Sequence, residues 1–261
     1  MRTVPLQPLG VRVEDLDLAD PALDLPGLVP VLRDLLAEHG VVHVPDQHAL
    51  DDDGFLALLQ AFGPLAFTTG ETPLASHPQL NVISNVGRES PPVSNWHVDT
   101  SYVDRPPAYT ALRAVQVPVE GGATQFSDQY AALDSLPDDL RALLADKTLR
   151  HVVTGVDPGP GEQTEAEHPL FRPHPVTGRP ALYLTAPKRC AAISGLDEVE
   201  TREVVARLLD HSTRPDNVLA HRWAPGDVVL WDNACVLHRA DHSAVVGDRV
   251  MHRGMVASHV A

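Results

Sequence analysis

The segment Asn95-Trp96-His97-Val98-Asp99 carries an imidazole and a carboxylate two positions apart. In an extended chain such residues project from one face, with Val98 turned away. Side by side they make two-thirds of the 2-His-1-carboxylate set that holds iron(II) and leaves coordination positions open. An H-x-D alone also occurs as an ordinary surface pair, and the chain has 14 histidines, so context must supply the third ligand. Near the C-terminus Pro225-Gly226-Asp227 turns into the apolar run Val228 to Trp231. The polar break Asp232-Asn233 and then His238 follow, an order that can set His238 on a strand beside the first pair.

Two further segments have the chemistry of anion binding. Arg249 follows His238 by eleven positions, and Arg253 follows in the same run. Strand alternation places Arg249, Met251 and Arg253 on one face. An arginine turned into a pocket is costly unless it meets an anion, and guanidinium grips a carboxylate through a bidentate fork. In Glu120-Gly121-Gly122-Ala123-Thr124, a glycine turn precedes a strand-like run. The Thr124 hydroxyl stands at its start, able to donate to a ligand carboxylate.

Composition narrows the partners. The chain has 261 residues and a formal net charge of -15. That charge argues against a nucleic-acid partner, which would need a basic footprint, and favours an enzyme of small molecules. Cys190 and Cys235 are the only cysteines, too few for a disulfide framework or a cysteine-rich zinc site, so both are expected as reduced thiols. No stretch reaches the ~18 apolar residues of a membrane span. The N-terminus lacks the apolar core of a signal peptide. These features predict a cytoplasmic protein with no membrane partner.

The elements that position the site are many and short. Three-to-four spacing predicts helices over Leu28 to Glu38, Asp51 to Phe62, Asp128 to Ala145 with a break at Pro137, and Asp197 to Leu209. Strands are expected at Val41 to Val44, Leu80 to Ser84, Tyr109 to Val117, His151 to Val156, Ala181 to Thr185, Val228 to Trp231 and Arg249 to Ser258. The 24 prolines and 17 glycines are spread as turns between them. The pattern predicts one α+β domain over residues 1–261, mainly β, built on a β-sandwich or jelly-roll with flanking helices and a helical insertion.

Taken together, Trp96-His97-Val98-Asp99, Gly121-Gly122-Ala123-Thr124, Trp231-Asp232-Asn233 with His238, and Arg249 with Arg253 resemble the TauD/TfdA family of iron(II)/2-oxoglutarate dioxygenases. Glu38-His39-Gly40-Val41-Val42, Phe62-Gly63-Pro64-Leu65, His168-Pro169-Leu170 and His174-Pro175-Val176-Thr177-Gly178 extend the resemblance over most of the chain. It implies a double-stranded β-helix (a cupin-like jelly-roll) with iron at one open end. His97, Asp99 and His238 would be the metal ligands and catalytic centre. Thr124 and Arg249 would hold the distal carboxylate of 2-oxoglutarate. Arg253 would meet a substrate anion or assist the cosubstrate. Two departures, Val93 in place of an Asn and Phe67-Thr68-Thr69 where a His is usual, point away from taurine.

The resemblance further implies Fe(II) as cofactor, 2-oxoglutarate and O2 as cosubstrates, and oxidation of a small anionic substrate with release of succinate and CO2. Hydroxylation is the expected outcome; desaturation, cyclisation or oxidative rearrangement in a biosynthetic pathway is the alternative. Against a jelly-roll that binds without catalysis stands the intact set His97, Asp99, His238, Arg249 and Thr124; a zinc hydrolase would not need the Arg249 and Thr124 pair. Asn95 and Tyr102 are candidate substrate contacts. Phe67, Phe126, the 157–168 stretch and Ala186-Pro187-Lys188-Arg189 are candidates to line or cover the pocket. A homo-oligomer, dimer or tetramer, is expected from the family.

Overall fold

Val228–Asp232 is apolar on both faces. Val228 and Leu230 pack into one core cluster, while Val229 and Trp231 pack into another. A strand with that pattern must lie inside a sheet covered on both sides. At roughly 1.5–3 kcal/mol for each large apolar side chain buried, it is a main anchor of the fold. The computed structural model, which describes residues 1–67, 72–88 and 94–258, puts this strand at the centre of the major sheet.

In chain order the strands begin with β1 (Arg2–Pro5) and β2 (Val11–Glu14), before helix α1 (Leu25–His39). Then come β3 (Val41–Val44), α2 (Asp52–Phe62), β4 (Leu65–Ala66), β5 (Asn81–Ser84), β6 (Tyr109–Gln116) and β7 (Thr124–Asp128). The insertion contains α3 (Gln129–Asp134), α4 (Asp138–Leu144), β8 (Thr148–Val152), β9 (Glu165–Pro169), β10 (Phe171–Pro173), β11 (Pro180–Leu182), β12 (Cys190–Ile193) and α5 (Glu198–Ser212). The chain returns through β13 (Val218–His221), β14 (Val228–Asp232), β15 (Val236–Ala240) and β16 (Val250–Val256).

The major sheet runs β1-β2-β3-β14-β6-β16-β4, and β5 also pairs with β16. The smaller sheet runs β13-β7-β15. The second core cluster, with Phe126 of β7, Trp231 of β14 and Met251 of β16, fills the space between them. Helices α1 and α2 cover the outer face of the major sheet through Leu32, Leu36, Phe55 and Leu59. Gly254 permits that close approach, since a Cβ there would lie 2.2 Å from Leu59 Cδ1. A third cluster joins α3, α4 and α5 to the insertion strands. This is the expected jelly-roll, α+β and mainly β, with flanking helices and a helical insertion.

Local chemistry explains where the boundaries differ from the periodicity. Helix α1 starts three residues before Leu28, because the Asp24 side chain accepts from the Gly27 amide and Pro26 fits the first turn. The helix expected over Asp128 to Ala145 is two, α3 and α4, parted at Pro137 as its missing amide requires. The capping box Asp197/Glu200 sets the start of α5. Strand β8 starts three residues earlier than expected, and β9 takes up the end of the 157–168 stretch, where no strand was expected. Its alternation of exposed Glu165 and Glu167 with buried Ala166 and His168 hides a strand behind poor strand formers.

Candidate active site

His97 sits where the two sheets meet. Its backbone exchanges hydrogen bonds with His238 of β15, the His97 amide donating to the His238 carbonyl at 2.9 Å and the reverse bond at 3.0 Å. That bridge sets the two imidazoles 4.3 Å apart, centroid to centroid. Directly after Asp99 the chain turns at Thr100, which adopts φ +47°, a conformation rare for a residue with a branched Cβ. The expected extended segment is therefore one bridge followed by a tight turn. His97 and Asp99 still converge, and His238 joins them.

Three clusters among the described residues bring histidine and acidic side chains within metal-binding reach: His97/Asp99/His238, His43/Asp227/His221 and His174/Asp232/Cys235. Distance separates them. His43 and His221 bond Asp227 at 2.8 and 3.1 Å, and His174 bonds Asp232 at 3.0 Å. These are closed hydrogen bonds with no room between partners. His97 Nε2 and His238 Nε2 stand 3.6 and 3.7 Å from the two oxygens of Asp99. That is too long for a hydrogen bond and matches atoms sharing one ion at about 2.1 Å each.

The surroundings suit this cluster to a cation. The His97 Nδ1–H faces the Asn95 carbonyl at 2.8 Å, which leaves Nε2 with its lone pair. Burial pushes the pKa of His238 down to about 3, and the nearby His97 adds to the effect, so its ring is neutral. Burial alone would raise the pKa of Asp99, but His238, His97 and Arg253 more than offset it and hold the group ionised. Thr110 of β6 donates to Asp99 Oδ2 at 2.8 Å and accepts from Asn233 at 2.9 Å. The Trp231 ring packs 4.6 Å from that of His238, and Asp232 anchors His174. The Trp231-Asp232-Asn233 run thus builds the wall behind the cluster, a role that its spacing did not reveal.

On the same inner face, Arg253 of β16 and Arg249, the residue just before that strand, supply two guanidinium groups. Arg249 is 1% exposed. Its Nε–H donates to the Gly122 carbonyl at 3.0 Å, and Nη2 donates to Thr124 Oγ1 at 3.3 Å. Burial lowers its pKa to about 10, so the cation is retained at neutral pH at a desolvation cost that a bound anion would offset. Gly122 makes the approach possible: it has φ +71°, and a Cβ there would meet Arg249 Cδ at 3.1 Å. Trp223, which the sequence reading passed over, donates its indole N–H to Thr124 Oγ1 at 3.0 Å. Arg253 lies next to the cluster, with Nη1 3.7 Å from Asp99 Oδ1 and Nη2 donating to Asn81 at 3.4 Å.

A cleft of about 620 Å³ opens beside His97 and Arg253. Asn95, Thr154, Ala186, Lys188 and Arg189 also line it, so the segment after Leu184-Thr185 borders the cleft as expected. Other candidates do not. Phe126 is fully buried between the sheets. Tyr102 is buried and absent from the lining, while Phe67 stands 44% exposed. Asn95 contributes both a lining side chain and the carbonyl that orients His97. Thr68, Thr69 and Val93 lie outside the described residues.

Residues 2–255 match the model of the family described as taurine catabolism dioxygenase TauD, TfdA family. The chain is 32% identical over 277 residues to an alpha-ketoglutarate-dependent 2,4-dichlorophenoxyacetate dioxygenase of Cupriavidus pinatubonensis, covering 95% of each protein. It is 30% identical over 275 residues to an (S)-phenoxypropionate/alpha-ketoglutarate-dioxygenase of Sphingobium herbicidovorans, covering 97% of this chain and 91% of that protein. The crystal structure of a taurine dioxygenase from Burkholderia xenovorans superimposes with a TM-score of 0.85 at 29% identity, covering 99% of this chain and 91% of that one.

Proposed function

Because the chain belongs to the TauD/TfdA family of iron(II)- and 2-oxoglutarate-dependent dioxygenases, we propose that His97, Asp99 and His238 hold the iron, that Thr124 and Arg249 hold 2-oxoglutarate, and that Arg253 receives a small anionic substrate for hydroxylation. The observation that carries this reading is the 3.6–3.7 Å spacing of the two imidazoles from one ionised carboxylate. When bound, iron(II) with 2-oxoglutarate supplies the activation of O2 that oxidises a substrate C–H bond and releases succinate and CO2.

The chain's own residues do the positioning. Thr110 fixes the Asp99 carboxylate, and the Asn95 carbonyl fixes the His97 tautomer. Such outer contacts keep ligands in their binding geometry. Arg249 and Thr124 offer a fork and a hydroxyl to one carboxylate. Arg253 offers a second guanidinium beside the cluster, the position at which a substrate anion would bring a neighbouring carbon to the metal. Acid-substituted aromatic ethers and related small anions are the substrate class that the relatives' names support.

The same reading takes residues 1–261 as one dioxygenase domain, homo-oligomeric as a dimer or tetramer, with a small-molecule partner and neither nucleic acid nor membrane. No helix among the described residues is long and apolar enough to cross a membrane. Cys190 and Cys235 are both free thiols, which fits a cytoplasmic location. The deciding experiment is anaerobic titration with iron(II) and 2-oxoglutarate. The reading expects a weak visible charge-transfer band, absent in Asp99→Ala; a band of equal intensity in that variant would reassign the ligands.

A further inference from the structure

Several arginines elsewhere on this acidic protein are paired with a carboxylate. Arg113 meets Asp52 at 2.5 Å, Arg179 meets Asp134 at 2.7 Å, Arg214 meets Asp216 at 2.9 Å and Arg207 meets Asp139 at 3.1 Å. Arg88, Lys188 and Arg189 line the cleft beside Arg253, which is itself paired with Asp99, and no acidic side chain is among the described lining residues. No ion pair joins Arg88, Lys188 or Arg189 to an acid among the described residues. Arg88 and Lys188 are exposed and Arg189 is half-buried, so in a chain with 35 acidic residues against 20 Lys and Arg the trio sets a local positive field at the cleft that attracts an anion.

The way the two arginines are held points to a ligand. Arg88 donates through Nε to the Ser84 carbonyl at 3.0 Å, and Arg189 donates through Nε to Thr154 Oγ1 at 3.3 Å. In each, the inner nitrogen is fixed, and the terminal pair bonds no partner among the described residues. That pair is the fork with which guanidinium takes a carboxylate, sulfonate or phosphate. Ser94 Oγ, also lining the cleft, is buried with no hydrogen-bond partner among the described residues. A buried hydroxyl left so costs free energy that a polar ligand would recover.

We infer that Arg88, Lys188 and Arg189 form a second anion subsite, so that the substrate carries two anionic groups: one at Arg253 beside the metal cluster and one at this trio. The inference rests on the reading of the cleft as the substrate site, and it deepens that reading from a small anion to a dianion. The second group is an oxyanion of the carboxylate, sulfonate or phosphate class, separated from the oxidised carbon by the span of the cleft. A different use of the same charge, drawing the dianion 2-oxoglutarate inward, predicts that the trio governs cosubstrate affinity instead.

The test uses the full chain loaded with Mn(II) and N-oxalylglycine, which fill the metal and 2-oxoglutarate positions without turnover. Calorimetry then compares flexible probes of equal length with one or two carboxylates, hexanoate against adipate and octanoate against suberate. At least one dicarboxylate is expected to bind about tenfold more tightly than its partner. Lys188→Ala with Arg189→Ala, and separately Arg88→Ala, are expected to erase that preference while leaving N-oxalylglycine affinity unchanged. Equal affinities, no binding of any probe, or a preference that survives both variants overturns the second subsite. So does a variant effect on N-oxalylglycine alone. If Mn(II) and N-oxalylglycine fail to bind the parent protein, the iron and 2-oxoglutarate assignment falls instead.

Discussion

Trp223 orients the hydroxyl of Thr124. Its indole N–H donates to Thr124 Oγ1 at 3.0 Å, and Arg249 Nη2 donates to the same oxygen at 3.3 Å. A threonine hydroxyl has two lone pairs and one proton. With both lone pairs taken, the proton can only be given outward. The hydroxyl is thereby set as a donor before any ligand arrives, and the partner it suits is an unprotonated carboxylate. Trp223 is itself braced by the edge of the His221 ring at 4.6 Å, and His221 is held by Asp227.

Trp223→Phe keeps the ring and deletes the donor. Loss of one buried hydrogen bond, about 1 kcal/mol, should raise the 2-oxoglutarate KM about fivefold and leave the substrate KM unchanged. Combined with Thr124→Ala, the change should add nothing further, because both remove the same donor to the carboxylate. Steady-state kinetics on the two single variants and the double variant measures this coupling. Additive losses would place Trp223 outside the path through Thr124.

Arg249→Gln should cost more. A charge-assisted bidentate contact is worth about 3 kcal/mol, or ~100-fold in 2-oxoglutarate affinity. The stability effect should have the other sign. Burial already lowers the Arg249 pKa to about 10, so removing the charge relieves a desolvation cost in the unliganded protein. The variant should melt no lower than the parent without ligand and gain nothing from added Mn(II) and N-oxalylglycine, which should stabilise the parent. Differential scanning fluorimetry separates the two outcomes.

Thr110→Val tests the support of the proposed metal site. The change removes the donor to Asp99 Oδ2 and the acceptor for Asn233 at nearly constant volume. Losses of this kind weaken metal affinity by roughly 10–100-fold. Co(II) titration followed by its visible bands reads the affinity, with circular dichroism as the check on folding. An unchanged Co(II) affinity would show that Thr110 does not position Asp99.

The residues proposed as ligands could be picked out in the sequence because each sits in a segment whose pattern is local: H-x-D, the apolar run before His238, the glycine turn before Thr124. The supporting groups were not. Thr110, Asn81 and Trp223 reach the site from β6, β5 and the link between β13 and β14, and only sheet register brings them near. Arg249, Met251 and Arg253 do share an inner face, as alternation predicts, although the pairing of β16 with β6 shifts register between Val250 and Met251. Tyr102 and Phe126 illustrate the converse: aromatic residues near a motif were absorbed by packing. Strands β9, β10 and β12 were hidden for the reason that strand propensity depends on context more than helix propensity does.

Acid stability gives the last prediction, and His151 carries it. Its ring is buried, stacked 5.4 Å from Tyr183 and edge-on to His168 at 5.1 Å. Both ring nitrogens lack a hydrogen-bond partner among the described residues. Burial, with His168 and Arg172 nearby, pushes its pKa from the usual 6.5 down to about 3. A base held neutral in the folded chain is protonated first in the unfolded one. Its contribution is therefore fully present above pH 6.5 and is lost as the pH falls toward about 3. Within that window one proton makes the unfolding free energy drop by about 1.4 kcal/mol per pH unit. His151→Phe preserves an aromatic stack on Tyr183 and deletes the titrating site. Urea unfolding at several pH values between 6.5 and 4 should give a slope shallower by close to one proton, with the slope from the remaining histidines retained. Identical slopes in parent and variant would mean that His151 is protonated inside the folded protein, which would require a buried acceptor for its N–H groups.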